Sequence, residues 1–257
     1  SLLKEFGSKA SGAEMGLLLG WMSGRVLGQY DLLIIEDENP EDQDIVYYVG
    51  PNVLAIEKRY GFPPEEFRLW LALHECTHRA QFTGIPWLRS HFLSLVNKTL
   101  ESVDPDPEMF RDAAKKIIGA RKSGEDLFED GGLPTLFTSP EQRKILNQIS
   151  GMMSLLEGHG DVTMDRAGAK HITNADLFAQ TFRARRNSAK GLTRIFQKIA
   201  GFEAKLNQYQ AGENFIEEVE SLGGTELLNR AWEQPENLPN LDEIKFPKHW
   251  VNRINNQ

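Results

Sequence analysis

The sequence predicts an α+β fold, predominantly helical, with a small antiparallel sheet beside a helix that carries the string HECTH. Three observations predict it. Short β-like apolar runs are confined to the stretch between Val26 and Tyr60. From Pro63 onward apolar residues recur at helical spacing almost to the end of the chain. No repeat, low-complexity block or linker interrupts the pattern, so residues 1–257 read as one domain.

The elements follow in order. Residues 8–25 are small and apolar and predict a helix. Val26, Tyr30 and Leu32–Ile35 form one β-like run, Ile45–Val49 a second, and Val53–Ala55 the start of a third. The acidic loop Glu36–Asp44 separates the first two, and Gly50, Pro51 and Asn52 signal a turn before the third. Pro63, Pro64, Glu65 and Glu66 then mark a helix start. Proline costs nothing where the backbone N–H has no partner, and carboxylates complement the positive end of the helix. Phe67, Leu69, Trp70, Leu71 and Leu73 carry that helix into HECTH. Further helices are predicted over residues 88–101, 107–121, 140–166, 175–199, 202–208 and 212–221. Glycines in residues 123–139 predict a loop, and the tail from Pro235 reads as irregular, anchored by Trp250.

Composition narrows the function. A chain of 257 residues with 40% hydrophobic residues can bury a substantial core, and 9% aromatics argue against wholesale disorder. The net charge of -8 repels phosphate backbones, so no nucleic-acid partner is expected. The apolar stretch Met15–Val26 is broken by glycines, Ser23 and Arg25 and is too short for a bilayer span, so no membrane partner is expected either. A single cysteine, Cys76, excludes an intrachain disulfide and a cysteine-only zinc site. With no leader pattern visible, a cytoplasmic location is the expectation.

Residues 74–78 match H-E-x-x-H. On a helix, positions i and i+4 share a face, so His74 and His78 can turn both imidazoles toward one metal. Glu75 can then reach a metal-bound water as general base without being a ligand, the arrangement of zinc metalloproteases. Cys76, two residues from His74, faces away and is expected to be a small buried hydrophobe.

A third ligand is required, and EGHGDVTMD at residues 157–165 offers it. Glu157 and Asp161 lie i, i+4 on one face, flanked by apolar residues. Glu157 is the better ligand candidate and Asp161 a candidate to orient a ligand histidine. His159 competes as an alternative ligand if Gly158 and Gly160 distort the helix. Tyr209, one turn beyond Lys205, is a possible oxyanion stabiliser, although a structural tyrosine is the plainer assignment. Arg183, Arg185 and Arg186 read as an ion-paired or solvated helix face. His91, His171 and His249 lack ligand partners at helical spacing.

Longer strings go beyond the motif. GQYD, VGPNVLAIEKRYG, RLWLALHECTHRAQFTGIPWLRSH, SPEQRKILNQISGMMSLLEGHGDVTMD, AKLNQYQAGENF and ENLPNLDEI run from about residue 28 to the tail. On these strings the chain resembles a bacterial family of zincin-like hydrolases, some members of which are associated with biosynthesis of a deazaflavin redox coenzyme. The resemblance implies a zincin-like metalloprotease fold and one zinc, with His74, Glu75 and His78 in their usual roles and Glu157 as third ligand. It brings no substrate. The expected activity is zinc-dependent hydrolysis of a peptide or other amide. The alternative is a non-catalytic zinc protein whose site is closed by a fourth protein ligand.

Overall fold

The structure, a computed structural model, describes residues 16, 19–20, 23–31, 44–101, 139–169, 171–187 and 202–256; the side chains of residues 100, 101, 186, 187 and 202–209 lie outside that description. Two short strands, β1 (Gly28–Tyr30) and β2 (Val46–Tyr48), are followed by α1 (Gly50–Tyr60), α2 (Pro64–Gly84) and α3 (Leu88–Glu101). Then come α4 (Pro140–Gly168), α5 (Ala175–Asn187) and α6 (Phe202–Asn229). Two 3-10 turns, Arg230–Trp232 and Pro235–Asn237, lead to α7 (Leu241–Lys245) and α8 (Pro247–Asn255).

Helix α2 carries HECTH and starts where the prolines and acids predict. Its first half buries Phe67 and Trp70 in an aromatic cluster with Phe62, Phe178 and Phe182, with ring centroids 4.7 Å apart for Phe62–Phe178 and 5.2 Å for Trp70–Phe182. Helix α4 opens on a capping box, in which Ser139 accepts from the Gln142 backbone while Gln142 accepts from the Ser139 backbone. It packs against α2 on one side and α6 on the other.

The small antiparallel sheet has two strands among the described residues. β1 and β2 pair antiparallel with Gly28 opposite Tyr48 and Tyr30 opposite Val46, whereas Leu32–Ile35 lie outside the described residues. There is no third strand at Val53–Ala55, which sit inside α1. The sequence pattern had the right apolar residues but the wrong period. Val53 and Ile56, three apart, are buried while Leu54 is exposed, which is helical spacing. Pro51 belongs to the first turn of this helix, where a proline fits.

The tail corrects a second expectation. Pro235 and Pro247 each begin a helical turn, and Asn240 caps α7 with Glu243 in a capping box. The prolines and Asn240 that read as loop formers sit at helix starts and caps. Trp250 is the anchor expected, fully buried with Nε1 donating to the Asn237 carbonyl at 2.7 Å. The segments predicted at 202–208 and 212–221 form one helical run, which breaks at Gly224 (φ 72°, ψ -176°) before a second helix resumes to Asn229. The expectations for residues 107–121, for the loop before Ser139 and for the C-terminal part of 175–199 fall outside the described residues, as does most of 8–25.

A polar clamp seats the hairpin on α2. The Tyr30 hydroxyl donates to Asp44 at 2.5 Å, Arg89 of α3 donates to both, and Arg79 of α2 donates Nε to the Asp44 carbonyl at 3.0 Å. The Tyr30 bond and the Arg89 charge outweigh burial and hold the Asp44 carboxyl below its usual range. Burial and the same bond push Tyr30 up to about 12.

Two glycines let α4 and α6 touch backbone to backbone. A Cβ on Gly158 would overlap the backbone of Gly212, and one on Gly212 would overlap the Ser154 carbonyl. Gly158→Ala is therefore expected to destabilise the protein by about 1–3 kcal/mol or more, because neither helix backbone can yield as a side chain would. A urea titration reads this as a lower midpoint, and an unchanged midpoint would mean the helices do not meet there.

Candidate metal centre

The middle of α2 and the middle of α4 meet at the site. His74 and His78 stand one turn apart, their rings edge to face at 4.6 Å and their Nε2 atoms 3.1 Å apart. Glu157 reaches across from α4 and places Oε2 3.4 Å from His78 Nε2 and 3.7 Å from His74 Nε2. These three side chains form a group that could hold a metal ion.

Each imidazole is held from behind. Asp161 Oδ1 lies 3.5 Å from His74 Nδ1, and Gln81 Oε1 lies 2.9 Å from His78 Nδ1. Both are acceptors, so both favour a proton on Nδ1 and a lone pair on Nε2. Two nitrogen lone pairs and a carboxylate oxygen then converge on one point, a repulsive arrangement that a cation or a proton relieves. The spacing also fits zinc, since a tetrahedral ion with bonds of about 2.0–2.2 Å separates its ligands by about 3.4 Å. The same carboxylate draws a proton toward the imidazoles. Burial opposes charge on His78, but Glu157 outweighs it and holds the pKa at about 9. Burial likewise works against the charged Glu157, yet the two histidines keep its carboxyl well below the usual carboxylate range.

The glycines around His159 serve proximity rather than distortion. α4 runs as one helix through Gly158, His159 and Gly160. A Cβ on Gly160 would lie 3.2 Å from His78 Cε1 and 3.3 Å from His74 Cε1, so the helix face at Gly160 is the floor under both rings. His159 points elsewhere, as a regular helix requires. Its Nδ1 is 3.0 Å from Gln81 Nε2, and its ring packs edge-on against Trp232 at 5.4 Å.

Glu75 is buried, at 8% exposure, against the hairpin. A Cβ on Gly28 would lie 2.6 Å from its Oε1, so only glycine leaves room for the carboxylate there. Burial raises the Glu75 pKa and the Glu157 charge adds to this, while the two histidines and a hydrogen bond from the Tyr30 backbone pull it down; the net direction is up.

Tyr48 is a neighbour that sequence reasoning missed. It is the cross-strand partner of Gly28 and is 45% exposed, and partial burial of its hydroxyl together with the nearby Cys76 and Glu75 pushes it up to about 12. Only the strand register reveals this, and no spacing in the sequence carries it.

Other candidates resolve plainly. Cys76 is exposed, against the expectation of a buried hydrophobe, because it lies on the stripe of α2 that also leaves Leu69, Arg79 and Ala80 exposed. Arg183 is ion-paired with Asp165 at 3.1 Å and Glu213 at 3.3 Å, and Arg185 lies over the Phe182 ring at 5.4 Å. The side chains of Arg186, Lys205 and Tyr209 lie outside the described residues. His91, His171 and His249 are not part of the metal-competent group.

Comparison with known proteins bears on the whole chain. A family model described as a zincin-like metallopeptidase matches residues 1–251. The chain belongs to the zincin-like metallopeptidase family. A crystal structure of "a putative hydrolase with a novel fold" from Chloroflexus aurantiacus is similar to this zincin-like chain, with 31% identity and a TM-score of 0.66. The alignment covers 99% of this chain and 73% of that one. No curated protein matches. Family membership implies a divalent metal, usually zinc, and the His74, His78 and Glu157 group fits it. No helix among the described residues is long and apolar enough to cross a membrane.

The exposed position of Cys76 has a simple check. A thiol reagent added to the native protein is expected to modify one thiol per chain before any denaturant is present. A thiol that reacts only after unfolding would place Cys76 inside.

Proposed function

We propose that this zincin-like protein is a zinc-dependent amide hydrolase, most simply a metallopeptidase, acting through a single domain. The observation that carries this is the convergence of three lone-pair donors, at spacings of 3.1, 3.4 and 3.7 Å, beside a buried carboxylate that is not one of them. His74, His78 and Glu157 would hold the metal, with Asp161 orienting His74. When bound, zinc acidifies water and polarises the carbonyl to be attacked.

Glu75 is the group that moves the proton. Its burial keeps the charged and neutral forms closer in energy than in an exposed glutamate, which suits a carboxylate that accepts a proton and then returns it to the leaving amine. For the oxyanion the sequence offers Tyr209 on α6, and the structure adds Tyr48, whose hydroxyl lies within reach of the Glu75 charge.

The strand geometry favours an extended substrate. Gln29 pairs with Tyr47, Val49 donates to Leu27 and Asp31 donates to Ile45, so the odd residues of β1 face β2. The backbone groups of Gly28 and Tyr30 therefore point to the other edge, where Glu75 already bonds Tyr30. A peptide laid along that edge would pass the carboxylate. The non-catalytic alternative needs a fourth protein ligand, and the orientation of His159 toward Gln81 and Trp232 speaks against it.

Glu75→Gln is expected to retain zinc and lose about 10²–10⁴-fold in hydrolysis of a quenched-fluorescent peptide library. Removing zinc with a chelator should abolish the wild-type activity, and restoring it should recover that activity. Full activity in the variant would remove Glu75 as the base.

A further inference from the structure

Gln81, three residues beyond His78 on α2, carries no signal in the HECTH motif, yet its side chain is 5% exposed and fully engaged. Its Nε2 donates to the Leu156 carbonyl at 3.0 Å. A carbonyl only accepts, so the amide nitrogen must face Leu156 and the amide has one orientation. Its Oε1 then faces His78 Nδ1 at 2.9 Å and must accept the proton held there. The second N–H of the amide points at His159 Nδ1, 3.0 Å away, which must be an acceptor, leaving the His159 proton on Nε2. One backbone carbonyl thus determines where the protons sit on two histidines. That carbonyl belongs to the residue before Glu157, so the same amide ties α2 to α4 next to the third donor.

We propose that Gln81 is a positioning residue of the metal centre: it presents the His78 Nε2 lone pair to the metal and locks the ligand helix α2 to Leu156 and His159 of α4. This rests on the zinc reading above. His74 is oriented by a different group, Asp161, so the two ligand histidines have separate supports. His159 acts here as a brace seated on Trp232.

The test has two arms. In ¹⁵N-histidine spectra of the zinc-loaded wild type, His78 should show a protonated Nδ1 and a metal-bound Nε2. His159 should show the opposite tautomer, with its proton on Nε2. A His159 proton on Nδ1 would overturn the amide orientation and the proposal, and this arm needs no variant to fold. In the second arm, chelator competition measures zinc affinity. Gln81→Leu should bind zinc about 10–100-fold more weakly, and Gln81→Glu, whose carboxylate still accepts from His78 Nδ1, should recover part of that loss. If zinc uptake is normal and the folded Leu variant matches wild type, Gln81 has no positioning role. If wild type takes up no zinc, the metal reading falls and this proposal falls with it.

Discussion

The close approach of α4 to α2 is the constraint on which the rest of the structure depends. Two imidazoles from one helix and a carboxylate from another can share an ion only if the helix backbones come close enough for short side chains to meet. Gly160 provides that closeness on the α2 side, where a methyl group would crowd both imidazoles. Gly158 and Gly212 provide it on the opposite side, where α6 presses α4 from behind. Overpacking either contact would shift α4 and move Glu157 relative to the histidines.

Around that contact the site is built in layers with different physics. The donors are polar and partly buried, which is costly unless a cation satisfies them. Behind them, Asp161 and Gln81 present oxygens to the Nδ1 atoms of the two imidazoles. Farther out, the packing is apolar: the aromatic cluster of Phe67, Trp70 and Phe178 seats the start of α2, and Leu155 and Phe215 seat α4 on α6. Glu75 faces the other way, toward the hairpin. The Tyr30, Asp44 and Arg89 clamp holds that hairpin to α2 and α3, so the same clamp sets how close β1 comes to the carboxylate.

Much of this was legible in the sequence, for physical reasons. Helix period is a local property, so α2, α3 and α4 and the shared face of His74 and His78 could be read from spacing alone. The i, i+4 relation of Glu157 and Asp161 was readable in the same way, and it placed the pair on one helix face. What could not be read depends on register or on contacts between distant segments. Val53–Ala55, three apolar residues in a row, fit a strand as well as a helix, and only the burial of Val53 and Ile56 with Leu54 exposed separates the two. Tyr48 comes into the range of the Glu75 charge only through its pairing with Gly28. Gln81 gains its meaning from a carbonyl 75 residues away. The glycines flanking His159 look like helix breakers in one dimension and become points of contact in three.

The most direct test of the account is anomalous diffraction at the zinc absorption edge from crystals of the zinc-loaded protein. The account predicts one strong peak about 2.0–2.2 Å from His74 Nε2, His78 Nε2 and Glu157 Oε2. A peak ligated by His159 in place of Glu157, or no peak between the two helices, would contradict it.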